Sequence, residues 1–109
     1  MVENPAAILD TTFAALADPT RRAILRHQAA AESTVTELAT PFDMSLQAVS
    51  KHLQVLERAG LVRRTVTGRV HRCRIEAAPL RDAVTWMERY RRFWEQRLDA
   101  LAEFVAEEP

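Results

Sequence analysis

Residues 45–75 read Ser-Leu-Gln-Ala-Val-Ser-Lys-His-Leu-Gln-Val-Leu-Glu-Arg-Ala-Gly-Leu-Val-Arg-Arg-Thr-Val-Thr-Gly-Arg-Val-His-Arg-Cys-Arg-Ile. At 100° per residue, Leu46, Val49, Leu53 and Leu56 gather on one arc of a helix, and Gln47, Lys51, Gln54 and Arg58 gather on the opposite one. Ser45 stands where its hydroxyl can cap the first free amides, and Gly60 where a left-handed residue ends a helix. These stops define about four turns with one face for a core and one free to bind.

The continuation gives the free face a meaning. From Arg58 to Ile75 there are six arginines and no acid. Because the whole chain balances at zero, residues 1–57 and 76–109 are both acidic, with seven acids against four bases and eight against five. Val62, Val66, Val70 and Ile75 supply the β-branched residues of two short strands, with Thr67-Gly68 expected as the turn. Binding to a polyanion depends on local phosphate neutralisation, so a clustered charge outweighs a neutral sum. An amphipathic helix followed by a basic hairpin suits a winged helix-turn-helix on double-stranded DNA. Two blander readings are a solvated helix face and arginines that blunt an exposed sheet edge. Mixed charge would serve that second purpose equally well, which favours the DNA reading. The expected contact surface comprises Ser45, Gln47, Ala48, Ser50, Lys51, His52 and Gln54 on the helix, with Arg63, Arg64, Arg69 and His71 on the hairpin. Gln is suited to adenine, Lys to guanine, and Ser and Arg to phosphate.

The 109 residues, 48% of them hydrophobic, fit one domain, 1–109. Asn4-Pro5 and Asp18-Pro19 each put a capping residue before a proline, which starts helices near Pro5 and Pro19. Ile8, Leu9, Phe13 and Leu16 line the first of these, and Ile24 and Leu25 anchor the second. A short helix from Val35 to about Ala39 is expected to end before Pro41, with Phe42-Asp43-Met44 as the turn to Ser45. Arg21 and Arg22 suit either phosphate contact or a plain surface role.

After Pro79 a long helix, about 79–106, runs without proline or glycine. Leu80, Val84, Met87, Trp94, Leu98, Leu101 and Val105 recur at helical spacing, widened by Trp86, Tyr90 and Phe93. This is more apolar surface than a terminal helix of a small monomer buries. Leu9, Phe13, Trp86, Met87, Tyr90, Trp94, Leu98 and Leu101 are therefore expected at a homodimer interface. Packing within the chain and a small-molecule pocket between subunits are the alternatives. The expected architecture is mainly α with a small β-hairpin: about five helices plus a two-stranded wing, in a dimeric winged helix-turn-helix.

Residues 16–25 (Leu-Ala-Asp-Pro-Thr-Arg-Arg-Ala-Ile-Leu), Val49-Ser50-Lys51-His52-Leu53-Gln54-Val55-Leu56, Gly60-Leu61-Val62 and Gly68-Arg69 together resemble the ArsR/SmtB-type bacterial transcriptional regulators. The resemblance extends over nearly the whole chain. It implies a dimeric repressor on a palindromic operator, often released by a ligand, with Ser45, Gln47, Ser50, Lys51 and His52 in the recognition helix and Gly68-Arg69 at the wing tip. Metal-sensing relatives carry a Cys-x-Cys pair where this chain has Thr34 and Thr36, and hydroxyls do not replace thiolates for soft metals. A second family site uses Asp, His and Glu on the last helix, whereas the histidines here are His27, His52 and His71. No metal and no cofactor is expected, and Tyr90–Leu98 is similar to the metal-independent branch.

Cys73 is the sole cysteine. It is either a small packing residue or a redox sensor whose thiol pKa Arg72 and Arg74 would lower. With two glycines there is no Gly-rich phosphate loop, and no nucleophile-base-orienter spacing stands out, so no enzyme is expected. No apolar run reaches the roughly 18 residues of a membrane span, and a cytoplasmic place is expected. A winged helix used only for protein contact is the competing class, and an effector of unknown identity is a further possible partner.

Overall fold

A computed structural model describes residues 5–107. Its elements run α1 (Pro5–Leu16), α2 (Pro19–Ala30), β1 (Ser33–Thr34), α3 (Val35–Phe42), α4 (Leu46–Arg58), β2 (Val62–Thr67), β3 (Val70–Ile75) and α5 (Ala78–Glu107). The three strands form an antiparallel sheet in the order β1-β3-β2, which adds one short strand to the expected hairpin. Ser33 pairs with Cys73 and Thr34 with Arg72. The expected Asn4 cap lies outside the described residues.

Local chemistry accounts for most boundaries. Asp18 caps α2 by accepting the Arg21 amide at 2.9 Å. Thr34 and Glu37 form a reciprocal capping box that starts α3. The third helix continues through Pro41 to Phe42 instead of stopping before the proline. A proline in the final turn withdraws only one late amide, and Asp43, at φ 49°, makes the left-handed stop. At the end of α4, Gly60 (φ 74°) donates to the Glu57 carbonyl and Leu61 to that of Leu56, both at 2.9 Å. That is a Schellman closure, and the left-handed backbone explains the glycine. The wing turn is Gly68-Arg69, one residue later than expected, because Thr67 and Val70 are the last paired residues. Of its two residues only Gly68 has a positive φ, as a type II′ hairpin turn requires.

The core joins Ile24 and Leu25 of α2, Leu38 and Ala39 of α3, Val49, Leu53 and Leu56 of α4, and Leu61, Val62 and Cys73 beneath the sheet. From α1 the buried residues are Thr12 and Ala15, while Ile8, Leu9, Phe13 and Leu16 are half-buried. Thr12 meets burial by donating to the Ile8 carbonyl at 2.9 Å. Leu46 departs from the expected core stripe and is half exposed. It occupies the first position of α4 and opens onto the cleft between that helix and the wing.

Arg21 and Arg22 find partners within the chain. Arg21 donates to the Ala15 and Ala14 carbonyls at 2.7 and 3.1 Å, and Arg22 to the Leu16 carbonyl at 2.7 Å. The pair closes the carboxyl end of α1, where free carbonyls and the helix dipole favour cations.

The start of α5 meets the body through α1 and through Leu80, which packs on the core, and the rest of the helix is exposed. The radius of gyration of the chain, 18.8 Å, accordingly far exceeds the about 13 Å of a compact domain this size.

Candidate nucleic-acid interface

The α4 helix packs its apolar arc against the core and turns the other arc outward. Ser45 Oγ accepts the Ala48 amide at 3.2 Å and so starts the helix. Gln47, Lys51 and Gln54 are exposed, and Ala48 and Ser50 are partly so. His52 is different. It is turned inward and half-buried, with Nδ1 3.8 Å from an Asp18 carboxylate oxygen. The structure thus removes His52 from the outward set and joins the recognition helix to the cap of α2. The Asp18 carboxyl is held below its usual range, first by the Arg21 amide hydrogen bond and then by the charges of His52 and Arg21.

An open cleft of about 530 Å³ separates the start of α4 from the wing. Leu46, Gln47 and Ser50 form one wall, Arg64, Arg69, Val70 and His71 the other, and Thr34, Val35 and Thr36 close one end. It brings together members of both sequence-derived groups across one gap. The contributions of Leu46 and Thr34–Thr36 had no signal in the helical wheel, since they depend on how α3 meets the sheet.

The arginine cluster is less free than its formal charge suggests. Glu57 and Glu76, which bracket the segment, draw in three of the six. Arg64 donates to Glu57 Oε1 from Nη2 at 2.6 Å and from Nε at 2.9 Å. Arg63 and Arg74, paired across the strands, lie 3.4 and 3.5 Å from one Glu76 oxygen. Arg69, exposed at the turn, has no ion pair among the described residues. The acids were readable as neighbours in sequence, but their pairing depends on the twist that carries β2 back past α4.

Cys73 is fully buried in the central strand. Burial pushes its thiol up, against a smaller lowering by Arg64 and a further rise from Glu57. Arg72 and Arg74, expected to lower it, point to the opposite face of the strand and are exposed. This environment disfavours the thiolate a redox sensor needs.

The expected interface residues Trp86, Met87, Tyr90, Trp94, Leu98 and Leu101 are all exposed, the last three by 54–58% in the order 54, 58 and 56% for Trp94, Leu98 and Leu101. Phe104 and Val105, each 61% exposed, extend the same apolar surface. Phe13 of α1 meets Trp86 edge-on at 5.7 Å, and the aromatic contacts continue through Tyr90 and Phe93 to Trp94. Thr34 serves as a helix cap, and among the described residues no three His, Cys, Asp or Glu side chains lie close enough to hold a metal. Among those residues no helix is long and apolar enough to cross a membrane.

Comparison with known proteins leads to the same kind of fold. A helix-turn-helix domain model matches residues 16–65. The crystal structure of the ArsR family transcriptional regulator RHA00566 is 42% identical, covering 87% of this chain and 97% of that one with a TM-score of 0.78. The chain belongs to the ArsR family of winged helix-turn-helix transcriptional regulators. This regulator is also similar to the transcriptional repressor SdpR of Bacillus subtilis (strain 168), 29% identical over 79 residues, 72% of this chain and 88% of that relative. A solution structure of Mb0332 from Mycobacterium bovis, described as a homodimeric winged helix-turn-helix DNA-binding domain, is 29% identical with a TM-score of 0.61. It covers 92% of this chain and 93% of that domain.

Proposed function

We propose that this regulator is a repressor that binds a palindromic operator as a homodimer. Ser45, Gln47, Ala48, Ser50, Lys51 and Gln54 face the major groove, and Arg63, Arg69 and His71 hold the flanking backbone. The observation that carries this reading is the open cleft between the outward arc of α4 and Arg69 at the wing turn. It offers hydrogen-bonding side chains on one wall and an unpaired cation on the other. The exposed face of α5, with Leu9 and Phe13 beside it, supports dimerisation, in keeping with the homodimeric relative.

Two copies would place their α4 helices in successive major grooves about 34–36 Å apart. Occupying a promoter in this way obstructs polymerase, and repression follows from occupancy alone, with no effector, cofactor or catalytic step. Such a molecule works beside its DNA in the cytoplasm.

The test is a binding titration over a salt series, with the chain's own upstream region against a random duplex. Specific binding with a steep salt slope is expected. Equal, weak binding to both would sink the operator reading and favour a winged helix that meets an acidic protein. Two substitutions separate readers from grips. Gln47→Ala should cost roughly 1–3 kcal/mol of discrimination among sites, whereas Arg69→Ala should weaken all duplexes and lower the salt slope by about one.

A further inference from the structure

We propose that Glu57 is a positioning residue for DNA binding, which sets the wing against the recognition helix through Arg64 and His71. The inference rests on the DNA-binding reading above. Glu57 lies in the last turn of α4, Arg64 on β2 and His71 on β3. Both Nε and Nη2 of Arg64 donate to Glu57 Oε1, and Nη1 lies 3.4 Å from His71 Nδ1. Guanidinium nitrogens only donate, so Nδ1 is the atom that can accept in that contact. Three nitrogens of one half-buried side chain thus tie the helix to both strands of the hairpin.

The link sits where the wing leaves the body. Arg64 pairs with Cys73, which is buried, and two residues further out Val66 pairs with His71 and is 55% exposed. Beyond this point, residues 65–70 are all exposed, so the reach of Arg69 depends on how the hairpin is held at its root. Arg64 and His71 also line the cleft opposite Gln47 and Ser50. An acid beside a DNA surface ordinarily weakens binding by repulsion. Glu57 does the reverse here, because its charge is spent on Arg64 and its effect on DNA passes through the wing angle.

The experiment uses the full chain and measures affinity for its upstream region and for a random duplex over a salt series. Glu57→Ala is expected to weaken both on the order of tenfold and to lower the salt slope, since a wing no longer held at its root withdraws Arg69 from the phosphates. Arg64→Ala should match it, and the double substitution should be no worse than either alone. Glu57→Gln, which keeps the volume and one acceptor, should recover part of the loss, and it carries the test if thermal melting shows Glu57→Ala unfolded. Tighter binding by either Glu57 variant overturns the proposal, because Glu57 then acts only by repulsion. A salt slope that Arg64→Ala lowers by about one while Glu57→Ala leaves it at the wild-type value also overturns it, because Arg64 is then itself a phosphate grip. If the wild-type chain binds neither duplex, the DNA reading itself fails and takes this proposal with it.

Discussion

Helices α4 and α5 carry apolar stripes of similar spacing, yet one is sealed and the other open. Val49, Leu53 and Leu56 of α4 are fully buried beneath α2, α3 and the sheet. Along α5 only Ala83, near its start, is buried, and the stripe from Trp86 to Val105 faces outward. Periodicity tells that a face wants a partner; it does not tell whether the partner is in the same chain. The difference divides the molecule into a part sealed within the chain and a part left open.

Leu53→Ala strikes the sealed stripe and should produce the largest effect. Its side chain is fully buried in the middle of α4, so truncation removes transfer energy and leaves a cavity, at a cost of about 2–5 kcal/mol. Denaturant unfolding should show a lowered midpoint with little change in slope. A cost below about 1 kcal/mol would mean that the α4 layer is not the core it is taken to be.

The open stripe should respond in the opposite way. Leu98→Asp with Leu101→Asp puts charge on side chains 58 and 56% exposed, so the folded monomer should keep its helical signal while the dimer dissociates. Sedimentation would show the change in mass, and operator affinity should fall by about a hundredfold or more as the second half-site contact is lost. Unfolding of the double variant at unchanged mass would break the comparison, since it would place the stripe inside one chain.

Much of this division was legible from residues alone. Ser45, Gly60 and the arc of Val49, Leu53 and Leu56 announce α4 by capping and period, and the run without proline or glycine announces α5. The misses share one physical cause, that they depend on which elements meet. A two-residue strand such as Ser33–Thr34 has no period to detect and exists because β3 offers its edge. Leu46 fits the apolar arc but faces the cleft beside the wing. Arg21, Arg22 and Arg64 look like free cations until the carbonyls of α1 and the carboxylate of Glu57 are brought beside them.

The smallest effect concerns the edge of the sealed side, where Asp18 caps α2 and faces His52 of α4, a tether for which the open run of α5 has no counterpart. Its folded pKa lies below the ordinary carboxylate value, so its contribution to stability is present above the unfolded pKa and is lost as pH falls through the folded one. Asp18→Asn isolates this charge, since asparagine caps a helix as well as aspartate does. At pH 7 the variant should melt at a slightly lower temperature than the wild type. The gap should narrow as pH falls below the ordinary carboxylate value of about 4 and close once the wild-type carboxyl takes up its proton below that value. A gap that persists unchanged at low pH would mean that the cap and its shape, and not the charge facing His52, hold α2 against the recognition helix.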